Sequence, residues 1–76
     1  MFEKIVDILS EHTEYDKSKM NRDTSLLMDL GLNSLEVVKI VMELEEEFEI
    51  EFSEEDLPRI TTLGELEDLI KEMTEE

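Results

Sequence analysis

In the segment Asp29-Leu30-Gly31-Leu32-Asn33-Ser34-Leu35-Glu36, a loop gives way to a strongly amphipathic helix, and one hydroxyl stands at the junction. Asn33 is a strong N-cap, and Glu36 three residues on completes a capping-box pattern, so the cap does not need Ser34. The Ser34 hydroxyl is then free to project outward and carry a covalent group. A phosphodiester formed there would lie against the positive end of the helix dipole, where anions are stabilised.

No other constellation offers comparable chemistry. His12 is the one histidine and lies near the end of the first helical pattern, far in sequence from any nucleophile; a helix-surface role fits it, and a Ser-His-Asp triad does not. The acid pairs do not suggest glycosidase chemistry, because a 76-residue bundle has little volume for a substrate cleft. The acids also lack the order of a calcium loop. The absence of cysteine removes disulfides, thiolate metal sites and thiol nucleophiles together. The sequence therefore points to no catalytic residues and no metal ligands.

Charge narrows the class of partner. Twenty-three acids against seven Lys and Arg give a net charge of −16. The imbalance is concentrated from Asp29 onward, where seventeen acids face three bases. Nucleic acid is excluded as a direct ligand, since phosphate neutralisation needs clustered bases. A partner with a basic surface is favoured, its approach steered by the field. No apolar run is long enough for a membrane span or a signal peptide, which leads to the expectation of a soluble, cytoplasmic protein; separately, a monomer is expected.

The elements that must position Ser34 are helical. Phe2, Ile5, Val6 and Leu9 recur at helical spacing and predict a first helix from Phe2 to Glu14. Tyr15 to Asn33 lacks periodicity and reads as a long loop, anchored by Leu26, Leu27, Leu30 and Leu32. The second helix runs from Asn33 or Ser34 to about Phe48. Ser53 to Leu57 reads as one capped turn stopped by Pro58, and the last helix follows Thr62, with Leu63, Leu66, Leu69, Ile70 and Met73 as its buried stripe. Glu49-Ile50-Glu51-Phe52 alternates but has no partner strand. The expected fold is all-α: one domain over residues 1–76, a small bundle of three long helices plus one short one, with the long loop between helices one and two.

At about 100° per residue, Val37, Ile40, Val41, Leu44 and Phe48 form a core face on the second helix. Leu35, Val38 and Met42 form another stripe roughly 100° or more away. Glu45 and Glu46 lie beside that stripe, and Ser34 sits at its upper end. An apolar patch rimmed by carboxylates is what a docking surface needs. The candidate partner-binding residues are Leu35, Glu36, Val38, Met42, Glu43, Glu46 and Glu47. Nine acids and no base lie between Glu43 and Asp56, a density that costs a few tenths of a kcal/mol for each like-charged i,i+4 pair. The five methionines are expected to be pliable core.

The Asp29–Glu36 segment, the acidic helix after it and the order of the flanking helices closely resemble the acyl carrier proteins of fatty acid and polyketide synthesis, over nearly the whole chain. The resemblance implies a carrier and not an enzyme, with Ser34 bearing 4'-phosphopantetheine delivered from coenzyme A by a phosphopantetheinyl transferase. Acyl groups would ride as thioesters on the arm, and acyl-transferring and chain-modifying enzymes with basic docking surfaces would be the further partners. Asn33 stands where this family most often has an aspartate that helps hold the magnesium used in arm transfer, and an amide oxygen is a weaker ligand. Lys39 departs from the family's acidic exposed face. Within the family, a peptidyl or D-alanyl/aminoacyl carrier is the alternative. Outside it, the alternative is an acidic interaction module without covalent cargo.

Overall fold

The computed structural model describes residues 1–74. Its helices are α1 (Phe2–Ser10), α2 (Ser34–Phe48) and α3 (Leu63–Thr74), with two 3-10 turns, Lys17–Lys19 and Leu57–Arg59, in the connections. Among the described residues no strand forms; the one β-like contact is an isolated antiparallel bridge between Ser25 and Thr62. The expected all-α bundle is what the chain adopts. The last two residues of the expected 1–76 span lie outside the described residues.

The helices bury the stripes that periodicity marks. Ile5 and Leu9 of α1, Ile40 and Leu44 of α2, and Leu63, Leu66, Leu69 and Ile70 of α3 are closed to solvent and form one core with Leu26 of the long loop. Each such side chain contributes about 1.5–3 kcal/mol when fully buried. That burial packs α1 against both α2 and α3.

Four local expectations differ from the structure. First, α1 ends at Ser10, because Glu11 and His12 bond back three residues, to the carbonyls of Ile8 (3.3 Å) and Leu9 (2.9 Å), tightening the last turn. Thr13 then donates its hydroxyl to the Leu30 carbonyl (3.0 Å) and turns the chain into the loop. Second, Pro58 sits inside the Leu57–Arg59 turn, near its start, where its missing N–H leaves no bond unmade. The preceding bend is fixed instead by Asp56, whose carboxylate accepts the backbone N–H and the hydroxyl of Ser53, both at 3.0 Å. Third, Leu27 is no anchor: Leu26 takes that place, its N–H donating to the Thr61 carbonyl (3.1 Å), and the next residue is turned outward. Fourth, only Met20 of the methionines is buried; Met73 is half-buried and Met1 and Met28 are exposed, as is Met42, which the docking stripe already placed at the surface.

The long loop is ordered by backbone bonds to the start of α3. Leu63 N–H donates to Thr24 O (3.0 Å), and Gly64 N–H donates to Arg22 O (2.9 Å). Arg22 Nη2 lies 3.0 Å from both carboxylate oxygens of Asp68, and Nη1 bonds Glu67, a buried acid that this guanidinium partners. A charge-assisted fork of this kind fixes geometry as well as adding energy. Gly64 is required by contact and not by backbone conformation, since a Cβ there would lie 2.9 Å from the Arg22 carbonyl oxygen.

Candidate functional site

The junction forms as its capping residues dictate. Asn33 is extended (φ −96°, ψ 173°), and its side-chain oxygen accepts the Glu36 N–H at 2.9 Å. The Glu36 carboxylate in turn accepts the Asn33 N–H at 3.2 Å, completing the reciprocal box. Gly31 precedes it with φ +67°, a left-handed conformation that glycine adopts without a Cβ penalty. Ser34 is thereby the first residue of α2, and it is exposed. No hydrogen bond occupies its hydroxyl among the described residues, so the oxygen is free to react.

Beside Ser34 lies an apolar cleft of about 360 Å³, walled by Leu27, Val37, Val38, Leu57, Pro58, Ile60 and Thr61. The residues from the loop and from the Leu57–Arg59 turn were not singled out by helical periodicity, which sees only residues on one element. A larger recess of about 580 Å³ is bordered by Glu11, His12, Thr13, Glu14, Tyr15, Asp29 and Leu30, and does not include Ser34. It brings together acids and a histidine, yet no group of three or more metal-ligating side chains exists among the described residues.

The second stripe of α2 is exposed as the helical wheel predicts: Leu35 is 65% exposed, Val38 41% and Met42 60%. Its acids are deployed unequally. Glu43 pairs with His12 (2.6 Å) and Glu47 with Lys4 (3.4 Å), both reaching back to the α1 side of the molecule. Glu36 closes the capping box. Glu45 accepts the Phe52 N–H at 2.8 Å and holds the chain as it leaves α2, where Glu49 adopts a left-handed conformation (φ 54°). Glu46 is left without an ion pair among the described residues, sharing a shallow recess with Lys39, Met42, Glu43 and Glu45.

A capped helix presenting an unbonded serine beside an apolar cleft, on a small acidic bundle, suits a group held covalently and offered to other proteins. The exposed serine and the positive helix end fit a phosphodiester-linked arm. The family profile described as phosphopantetheine attachment site matches residues 3–70. The acyl carrier protein of Clostridium acetobutylicum is 37% identical over 76 residues, spanning 100% of this chain and 99% of its own. The solved structure of acyl carrier protein from Enterococcus faecalis matches with a TM-score of 0.84 at 32% identity, covering 95% of this chain and 91% of that one.

These findings define a helical carrier of a prosthetic group, not an enzyme. The chain belongs to the acyl carrier protein family, and its prosthetic group is covalently attached 4'-phosphopantetheine. Membership implies a phosphopantetheinyl transferase and biosynthetic enzymes as partners. No described helix is long and apolar enough to cross a membrane.

Proposed function

We propose that Ser34 is the attachment residue and that the chain carries acyl groups in fatty acid, polyketide or related lipid biosynthesis. The observation that carries the assignment is the unbonded, exposed Ser34 hydroxyl on the first turn of α2, released from capping duty by Asn33. In arm transfer, Ser34 Oγ forms a bond to the β-phosphorus of coenzyme A, the pyrophosphate P–O bond breaks, and the nucleoside bisphosphate leaves while the hydroxyl proton passes to a base of the transferase. The attached group supplies a terminal thiol, absent from this cysteine-free chain, on which acyl cargo is held as a thioester.

The chain's own residues do the rest. Asn33 and Glu36 fix the helix start and with it the backbone that presents Ser34. Leu35, Val38 and Met42 supply apolar area for docking, with Glu46 as the acid standing free beside them. Glu36, Glu43 and Glu47 are engaged within the chain and act on partners through the field more than through direct bonds. The acidity and the full-length similarity to an acyl carrier protein support acyl cargo over peptidyl or aminoacyl cargo. The proposed setting is a cytoplasmic monomer serving several enzymes in turn.

The test is proteolytic mapping after incubation with coenzyme A, magnesium and a phosphopantetheinyl transferase. The arm is expected on the peptide containing Ser34 alone. An arm on Ser25 or Ser53 would contradict the assignment.

A further inference from the structure

We propose that the turn bearing Leu27 and Met28 is a second docking surface for the enzyme that acts on Ser34, an apolar ridge that begins at Leu27 on the rim of the cleft Ser34 borders. The inference rests on Ser34 being the attachment residue.

Leu27 is 56% exposed and Met28 87%, the latter the most exposed large apolar side chain among the described residues. Isolated apolar residues on a surface are ordinary. These two differ because their backbone is held in place. Asp29 Oδ2 accepts the Ser25 N–H at 2.7 Å, Ser25 Oγ accepts the Met28 N–H at 3.1 Å, and the Ser25 carbonyl accepts the N–H groups of Asp29 and Leu30, both at 3.1 Å. Leu26 on one side and Leu30 on the other are buried and bolt the turn to the core. The two side chains are therefore displayed on a fixed frame, which lowers the ordering cost a partner must meet.

The position of the turn identifies its occupant. Leu27 and Ser34 border the same cleft, with Val38 of the docking stripe beside them. An enzyme that brings a reactive phosphorus to Ser34 Oγ must cover the rim of that cleft, and Leu27 is part of the rim. The chain's charge of −16 selects an enzyme face that is basic around an apolar socket. Met is well suited to such a contact, since its unbranched side chain fits sockets of different shape.

The experiment is steady-state arm transfer to the full chain by a phosphopantetheinyl transferase, with Leu27→Ser, Met28→Ser and Met28→Leu compared with the wild-type protein. Each serine variant is expected to raise the KM for the carrier about tenfold, the loss of one apolar side chain buried in the complex, with kcat unchanged. Met28→Leu should restore the wild-type KM, and an exposed control, Lys19→Ser, should leave it unchanged. Because both side chains are exposed, thermal melting should not move. An unchanged KM for Met28→Ser would overturn the proposal, as would a loss confined to kcat. A wild-type chain that accepts no arm from the transferase would overturn the Ser34 assignment first, and this inference with it.

Discussion

His12 Nε2 lies 2.6 Å from Glu43 Oε2, joining the chain just beyond α1 to the middle of α2. The contact spends one of the acids of α2 on internal cohesion, and Lys4 with Glu47 does the same one turn along. The acidic face of α2 is thus split, one part answering to α1 and the other to solvent and partners.

The split predicts a measurable coupling. In a double-mutant cycle with His12→Ala and Glu43→Ala, urea unfolding should give a coupling of about 0.2–1 kcal/mol, the range for partly exposed pairs. The coupling should shrink in high salt. A zero coupling would mean that the contact adds nothing to α1–α2 cohesion.

Gly64→Ala tests the packing of the loop against α3. The added Cβ would lie 2.9 Å from a backbone oxygen that also accepts the Gly64 N–H, so the loop itself must move. A cost of roughly 1–3 kcal/mol is expected, lowering the Tm by about 4–8 °C per kcal/mol. An unchanged Tm would show that the loop yields freely there.

Asn33→Ala should lower stability by about 1 kcal/mol, because it opens the capping box, whereas Asn33→Asp should preserve the fold. Asn33→Asp should also speed arm transfer at low magnesium, since a carboxylate binds the ion better than an amide oxygen. Equal rates for the two proteins across a magnesium titration would show the amide to be silent in that step.

Asp56 supplies a pH prediction. The backbone N–H of Ser53, then its hydroxyl, hold the Asp56 carboxyl below the usual aspartate range, with a smaller contribution from Arg59. A carboxyl lowered in the folded state stabilises the fold above its unfolded value, about 3.9, and loses that contribution as pH falls through the folded value. Asp56→Ala should therefore be less stable than wild type at neutral pH, and the two should converge in acid. A difference that persists into acid would assign the effect to packing and not to charge.

How far the sequence reveals this molecule depends on whether the determinant is local. Asn33, Ser34 and Glu36 act on one another within one helical turn, so the cap and the exposed hydroxyl are legible from types and spacing. The stripe of Leu35, Val38 and Met42 follows from the period of the helix. The pairing of Glu43 and Glu47 with His12 and Lys4 joins residues far apart in the chain, and no pattern along α2 reveals it. The cleft beside Ser34 is equally non-local, since Leu27, Leu57, Pro58 and Ile60 reach it from two connections that are tied to each other by the Leu26 N–H bond to Thr61, the first of them tied also to the start of α3. Leu26 and Leu27 are indistinguishable by residue type; Leu26, whose N–H bonds Thr61 and whose carbonyl accepts the Leu32 N–H, is the one that is buried.

The central claim, that Ser34 alone bears the arm, is tested most directly by the intact mass of the wild-type and Ser34→Ala proteins after incubation with coenzyme A, magnesium and a phosphopantetheinyl transferase. The wild-type protein is expected to gain one phosphopantetheinyl unit and Ser34→Ala none, with both folded by circular dichroism. A mass gain in Ser34→Ala, or an unmodified wild-type protein with several transferases, would contradict it.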